Sequence, residues 1–342
     1  MASHSASFTN ATQVHRLDSH TYSVNLDKAY SIGAVPNGGY VASCILSAAR
    51  AHLEARGQPD TLSAHFHFPN RTTVGPAIVT IDDIKIGSQL SMLQLTLWQG
   101  GLSLSQSPWI QPDSRRCVVT YTSRINQETY TGMTIPTGYE SSPEASLPSP
   151  EPDFARLKAG RRDEGWEEAT TPPGVVVPSL RKWRFFHPRG GRPLSPGVLD
   201  LWMSLASGER ITSSVLPYLA DSFPFSLHLF IMDQDLRDML EAPKEPADDM
   251  KSRSTNKAEG RDDPRDEMWF PTIAMSMEVK TALPHEGVEW LNMRITTKQM
   301  KDGKFDLDVL IRDVNGQLVA LSNQVALIST MEKNKSKKKA SL

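Results

Sequence analysis

Pro36-Asn37-Gly38-Gly39-Tyr40 leads into Val41 to Arg56, a segment crowded with Ala42, Ser43, Cys44, Ser47, Ala48 and Ala49. An ordinary amphipathic helix buries a stripe of Leu and Ile, whereas this one carries side chains small enough for backbone to approach a sheet closely. Gly38 and Gly39 leave the N–H groups of the first turn sterically uncovered, so a ligand oxygen could be received there. A plain helix start capped by Asn37 or the glycines is the competing reading.

Outward from this helix the pattern changes to period two. Thr61 to Phe68 alternates, with Leu62, Ala64, Phe66 and Phe68 on one face and Ser63, His65 and His67 on the other, until Pro69 stops it. Gly75 to Ile86 and Gln89 to Trp98 repeat the alternation, and Cys117 to Tyr121 adds a short strand. The second half replays the order. Arg181 to Phe186 and Val198 to Ser204 read as strands and Glu209 to Ala220 as a helix, with Pro217 expected to shorten or kink it. Strands follow at Thr272 to Lys280, Trp290 to Lys298, Phe305 to Arg312 and Gln317 to Ser329, the last two joined through Asn315-Gly316, a type I′ hairpin signal. One helix plus an antiparallel meander, present twice, predicts an α+β internal pseudo-dimer with a sheet continuous across both halves.

The expected division is residues 1–125 as the first unit, 126–179 as a connector, 180–330 as the second unit and 331–342 as a Lys-rich tail. The connector holds eight of the 24 prolines and wraps the surface or stays mobile. Within the second unit, residues 233–267 are dense in both charges and read as a solvated insert.

Bulk properties exclude several classes. A chain of 342 residues has ample material for a core, and no apolar run reaches the roughly 18 residues of a membrane span. Removing the five lysines of the tail takes the net charge from −2 to −7, so the body is acidic and no nucleic-acid partner is expected. The polar first 18 residues lack a secretory apolar region, and Cys44 and Cys117 lack metal-like spacing, which together predict reduced thiols in a cytoplasmic protein. The terminal Ala340-Ser341-Leu342 only loosely matches a peroxisomal Ser-Lys-Leu signal, leaving that compartment as the weaker expectation.

Three polar residues stand out in the second half. Asp221 ends the apolar run Val215 to Ala220, Thr272 opens a strand, and Gln324 interrupts the last strand. An acid, a hydroxyl and an amide can together hold one water, the carboxylate accepting its proton. Singly, each also reads as ordinary: a helix terminus, a β-propensity choice and an outward strand residue.

In order and context these residues resemble the TesB-like acyl-CoA thioesterases of double-hotdog fold. Pro36 to Tyr40 is similar to that family's helix opening, and His65 to Pro69 with Val74 to Ala77 to its first long strand and turn. Asp221, Thr272 and Gln324 fall on its Asp, Thr and Gln set, and Asp313 to Ala320 resembles its penultimate hairpin. The resemblance implies two hotdogs, each a long helix wrapped by an antiparallel sheet, and hydrolysis of an acyl-CoA or carrier-bound acyl thioester without metal or cofactor. Asp221 would be the base, Thr272 and Gln324 would orient the water, and Asn37, Gly38, Gly39 and Tyr40 would line the substrate. A homo-oligomer is left open.

The alternatives differ in chemistry. A hotdog dehydratase generally wants an Asp/His pair near the helix opening, which Asn37-Gly38-Gly39 lacks; a non-catalytic acyl-binding or carrier-docking hotdog protein is the reading from another class. His65 and His67 share a face but have no evident third ligand, so no metal site is expected there. His187 and His228 have no G-x-S-x-G partner, which leaves a hydrolase triad unsupported. Arg181, Lys182, Arg184, Arg189 and Arg192 read either as a charged strand edge or as contacts for coenzyme A phosphates.

Overall fold

The computed structural model describes residues 7–169, 178–189, 197–222 and 268–330. Among the described residues, fourteen strands form one antiparallel sheet. From one edge the order is Val14–Arg16, Thr21–Leu26, Gly75–Lys85, Ser91–Gln99, Arg115–Ile125 and Asp60–His67, and it continues through Thr272–Val279, Leu318–Leu327, Lys304–Arg312, Leu291–Thr296, Val198–Leu205, Trp183–Pro188 and Trp166–Glu168. Met300–Lys301 pairs beside this path. The second series mirrors the first about the seam, so the fold is a double hotdog.

At the seam, Ala64 faces Met277 and Phe66 faces Met275, all four buried. On the opposite face His65 Nδ1 lies 3.0 Å from Ser276 Oγ. Strand alternation sends the apolar set inward and the imidazoles outward, as period two requires. Leu62 breaks the pattern: it is exposed, at a register shift between Thr61 and Ser63.

The long helix spans Gly38–Leu53 and continues as a 3₁₀ turn to Arg56, ended by Gly57 at φ +65°. It is buried nearly all round, and one apolar core encloses it together with residues of both units. Its closest approach differs from expectation. A Cβ on Gly39 would lie 2.2 Å from the Pro217 carbonyl oxygen, so the small residues admit a second helix rather than only the sheet.

That second helix starts later than its apolar pattern predicts. Residues Ser213–Val215 form a 3₁₀ turn and Leu216–Ala220 the α-helical turn, while Ile211 pairs with Val288. Pro217 sits in the first turn, where its missing N–H costs no intrahelical bond, and it therefore opens the helix instead of kinking it.

Other elements correct the sequence reading in detail. The strand expected at Cys117 to Tyr121 runs from Arg115 to Ile125 and buries Arg124, whose guanidinium donates to Thr61 Oγ1 and the Pro59 carbonyl. The connection after Arg312 is longer than a two-residue hairpin. Gly316 takes φ +84°, Asn315 does not enter the left-handed region, and Asp313 N–H closes the loop on the Gln317 carbonyl at 3.0 Å. Within the connector, Leu157 and Trp166 join Phe186, Trp202 and Trp290 in a separate small core.

The basic run divides as well. Arg181 and Lys182 lie in a 3₁₀ turn before the strand, whereas Arg184 pairs with Glu168 and Arg189 with Glu167. These last two guanidiniums are held by the connector's edge strand. Arg192, His228, the 233–267 insert and the tail lie outside the described residues. Among the described residues no helix is long and apolar enough to cross a membrane.

Candidate active site

Asp221 terminates the short helix at its C-cap, and its side chain is 3% exposed. A carboxylate so buried needs donors, and it receives one from each unit. The Gly39 N–H of the long helix donates to Oδ2 at 2.7 Å, and Thr272 Oγ1 donates to Oδ1 at 2.8 Å. Gly39 is in the first turn, whose N–H groups have no intrahelical acceptor and carry the positive end of the helix dipole.

Burial raises the Asp221 carboxyl to about 6, against the lowering effect of the Thr272 and Gly39 hydrogen bonds. Desolvation wins because it acts on the whole charge, while two donors among the described residues compensate. A carboxyl titrating there is ionised at neutral pH yet basic enough to take a proton, the range that suits general-base work.

Asn37 has two structural tasks. Its Oδ1 accepts from the Tyr40 N–H at 2.9 Å as the helix cap, and its Nδ2 donates to the Asp221 backbone carbonyl at 3.2 Å. Tyr40 is fully buried: its hydroxyl donates to the Ala11 carbonyl at 2.7 Å and accepts from the Asp27 N–H at 3.0 Å. Both side chains, expected from the resemblance to line the substrate, are here engaged in holding the helix opening against its neighbours.

Gly38 remains accessible. It is the first helical residue and half-exposed, and its N–H has no partner among the described residues. A Cβ there would lie 2.9 Å from Asp221 Oδ2 and 3.4 Å from the ring of Phe68.

Gln324 faces inward on the last long strand, contrary to the outward reading, and is 3% exposed. Its Nε2 donates to the Ala220 carbonyl at 2.8 Å, and its Oε1 is buried without a partner among the described residues. An acceptor left open beside the acid's own helix is a place for a water proton.

The structure thus brings together Asp221, Thr272, Gln324, Gly38 and Gly39. The sequence reading missed Phe68, whose ring lies beside Gly38, and the Pro217 carbonyl, which packs against Gly39. Phe68 ends the first strand's apolar face just before Pro69, and that position was its only signal. His65 and His67 stand on the outer side of the sheet, exposed. Cys44 and Cys117 are free and buried, with both thiols pushed up by desolvation, Cys44 to about 12.

Comparison with known proteins gives a consistent assignment. A model of the acyl-CoA thioesterase N-terminal domain matches residues 26–124, and one of the acyl-CoA thioesterase C-terminal domain matches 148–328. The thioesterase-like protein TwmA of Talaromyces wortmannii is 54% identical over 340 residues, covering 98% of this chain and 96% of that protein. A protein of unknown function with a hot dog fold from Alicyclobacillus acidocaldarius superposes with a TM-score of 0.63 at 15% identity, covering 95% of this chain and 98% of that one. The acyl-CoA thioesterase II TesB2 of Mycobacterium marinum gives 0.56 at 14% identity, over 94% and 97% of the two chains.

Proposed function

The chain belongs to the acyl-CoA thioesterase family and is a thioester hydrolase, and from that premise we propose that it cleaves acyl-CoA or carrier-bound acyl thioesters with a water activated by Asp221. The observation that carries this reading is the buried Asp221 carboxylate held by donors from both units, Gly39 N–H and Thr272 Oγ1.

In this reading a water sits against Asp221, with Gln324 Oε1 accepting its second proton and Thr272 fixing the carboxylate's rotation. Asp221 takes one proton as the water oxygen bonds to the thioester carbonyl carbon. Charge develops on the carbonyl oxygen. The Gly39 N–H is committed to Asp221, so Gly38 N–H is the donor left for that oxyanion, at a helix N-terminus whose dipole favours it. Collapse of the tetrahedral adduct breaks the carbon–sulfur bond, and the departing thiolate recovers the proton held by Asp221. The products are a carboxylic acid and a thiol.

Thiol release measured over acyl-CoA chain lengths, beside the same acyl groups on a phosphopantetheinyl carrier protein, tests the proposal. Turnover on at least one series is expected. Saturable acyl-CoA binding with no thiol released from either series would instead assign an acyl-binding protein.

A further inference from the structure

At the far end of the long helix, three side chains from separate segments converge. His52 lies in the helix's last turn, Asp83 on the strand Gly75–Lys85, and His20 in the turn before Thr21. His52 Nε2 is 2.9 Å from Asp83 Oδ1, His20 Nε2 is 3.4 Å from Asp83 Oδ2, and the ligand-capable atoms of all three lie within 4.8 Å of one another.

We infer that His20, His52 and Asp83 form a binding site for a divalent transition metal of the zinc class. Tetrahedral zinc bonds of about 2.0–2.1 Å place ligand atoms roughly 3.3 Å apart, so the observed spacings need only small rotamer adjustments. Two imidazole nitrogens with one carboxylate select zinc, cobalt, nickel or copper over magnesium and calcium, which prefer all-oxygen shells. Three protein ligands leave a fourth position for water.

The surroundings favour this use of the cluster over a simple pair of imidazole–carboxylate hydrogen bonds. The other nitrogen of His20, Nδ1, is 2.9 Å from Ser19 Oγ, which turns Nε2 toward Asp83 as an outer partner of a metal ligand does. The His20 backbone N–H is fixed by Asp18 Oδ1 at 2.9 Å. His52 is the most buried of the three, its side chain 10% exposed with the Tyr22 ring set T-shaped against its own. A cation at the last turn also meets the negative end of the helix dipole.

His52 is thirteen helical residues beyond Gly39, about 20 Å at 1.5 Å per residue. A metal there does not reach the thioester. It clips an N-terminal turn, the helix end and a sheet strand together, so its effect falls on stability.

Full-length protein stripped with EDTA and titrated with zinc chloride by calorimetry tests the site. One equivalent per chain is expected, with a raised thermal midpoint and unchanged kcat. His52→Ala and Asp83→Ala should each weaken binding at least about tenfold and abolish the thermal rise. His20→Gln, at a side chain 48% exposed, is the variant least able to disturb the fold and should weaken binding too. Cobalt added to the stripped protein should give tetrahedral visible absorption that His52→Ala removes. No zinc uptake, or uptake with equal affinity in all three variants, overturns the assignment.

Discussion

The Gly39 N–H reaches Asp221 Oδ2 at 2.7 Å, across 182 positions of the chain. One bond joins the opening of the first unit's helix to the end of the second unit's short helix. Neither unit alone satisfies the buried carboxylate, which makes the candidate site a product of their pairing.

Gly39→Ala should separate the two helices. Its Cβ would meet the Pro217 oxygen at 2.2 Å and Asp221 Cβ at 2.6 Å, both on tightly packed elements. Overpacking of this kind costs roughly 1–3 kcal/mol, measurable by urea unfolding. Gly38→Ala meets only Asp221 Oδ2, at 2.9 Å, and the edge of Phe68; its stability loss should be smaller than that of Gly39→Ala.

Asp221→Asn should stabilise the protein at neutral pH. Below the ordinary value of 3.8 the carboxyl is neutral in folded and unfolded chains alike and carries no penalty. Between 3.8 and about 6 the unfolded chain releases the proton while the folded one retains it, so stability falls as pH rises and the loss is complete above the folded value. A gap of about two units corresponds to a cost on the order of 3 kcal/mol. Urea unfolding of both proteins should show the Asn variant's advantage at pH 7 shrinking toward pH 4.

The pH profile of thiol release should carry the same group. For wild type, kcat/KM is expected to rise from acid with an apparent pKa of about 6 and then level off. Thr272→Val removes a hydrogen bond that lowers the Asp221 value. Its profile should therefore move to higher pH, with activity recovering as pH rises; an unmoved profile would mean that Thr272 does not act through this carboxylate.

Part of the candidate site was legible in the sequence. Asp221 ends an apolar run, and Asn37-Gly38-Gly39 combines a cap with two absent side chains, whereas Thr272 and Gln324 stood out only through their order and context in the resemblance. The partners of those residues were not legible. The atom that a side chain at Gly39 would strike first is a backbone carbonyl, at Pro217, and carbonyls leave no mark in sequence. Tyr40 was placed beside the substrate by the resemblance alone, and its hydroxyl is bound to the backbone of Ala11 and Asp27, contacts set by tertiary packing. The short helix lost its first residues because Ile211 pairs with Val288, a competition local periodicity does not record. Asn315-Gly316 signals a turn, but loop length decided which one. The connector's Trp166 was hidden in a stretch whose Pro and Glu content masked a single edge strand.

Thiol release by folded Asp221→Asn protein under saturating acyl thioester tests the base assignment most directly. With the amide oxygen accepting from Gly39 N–H, Thr272 Oγ1 turned to accept from the amide nitrogen, and the proton acceptor lost, kcat should fall by roughly 10²- to 10⁴-fold. Turnover equal to wild type in a cooperatively folded Asp221→Asn protein would show that Asp221 is not the base.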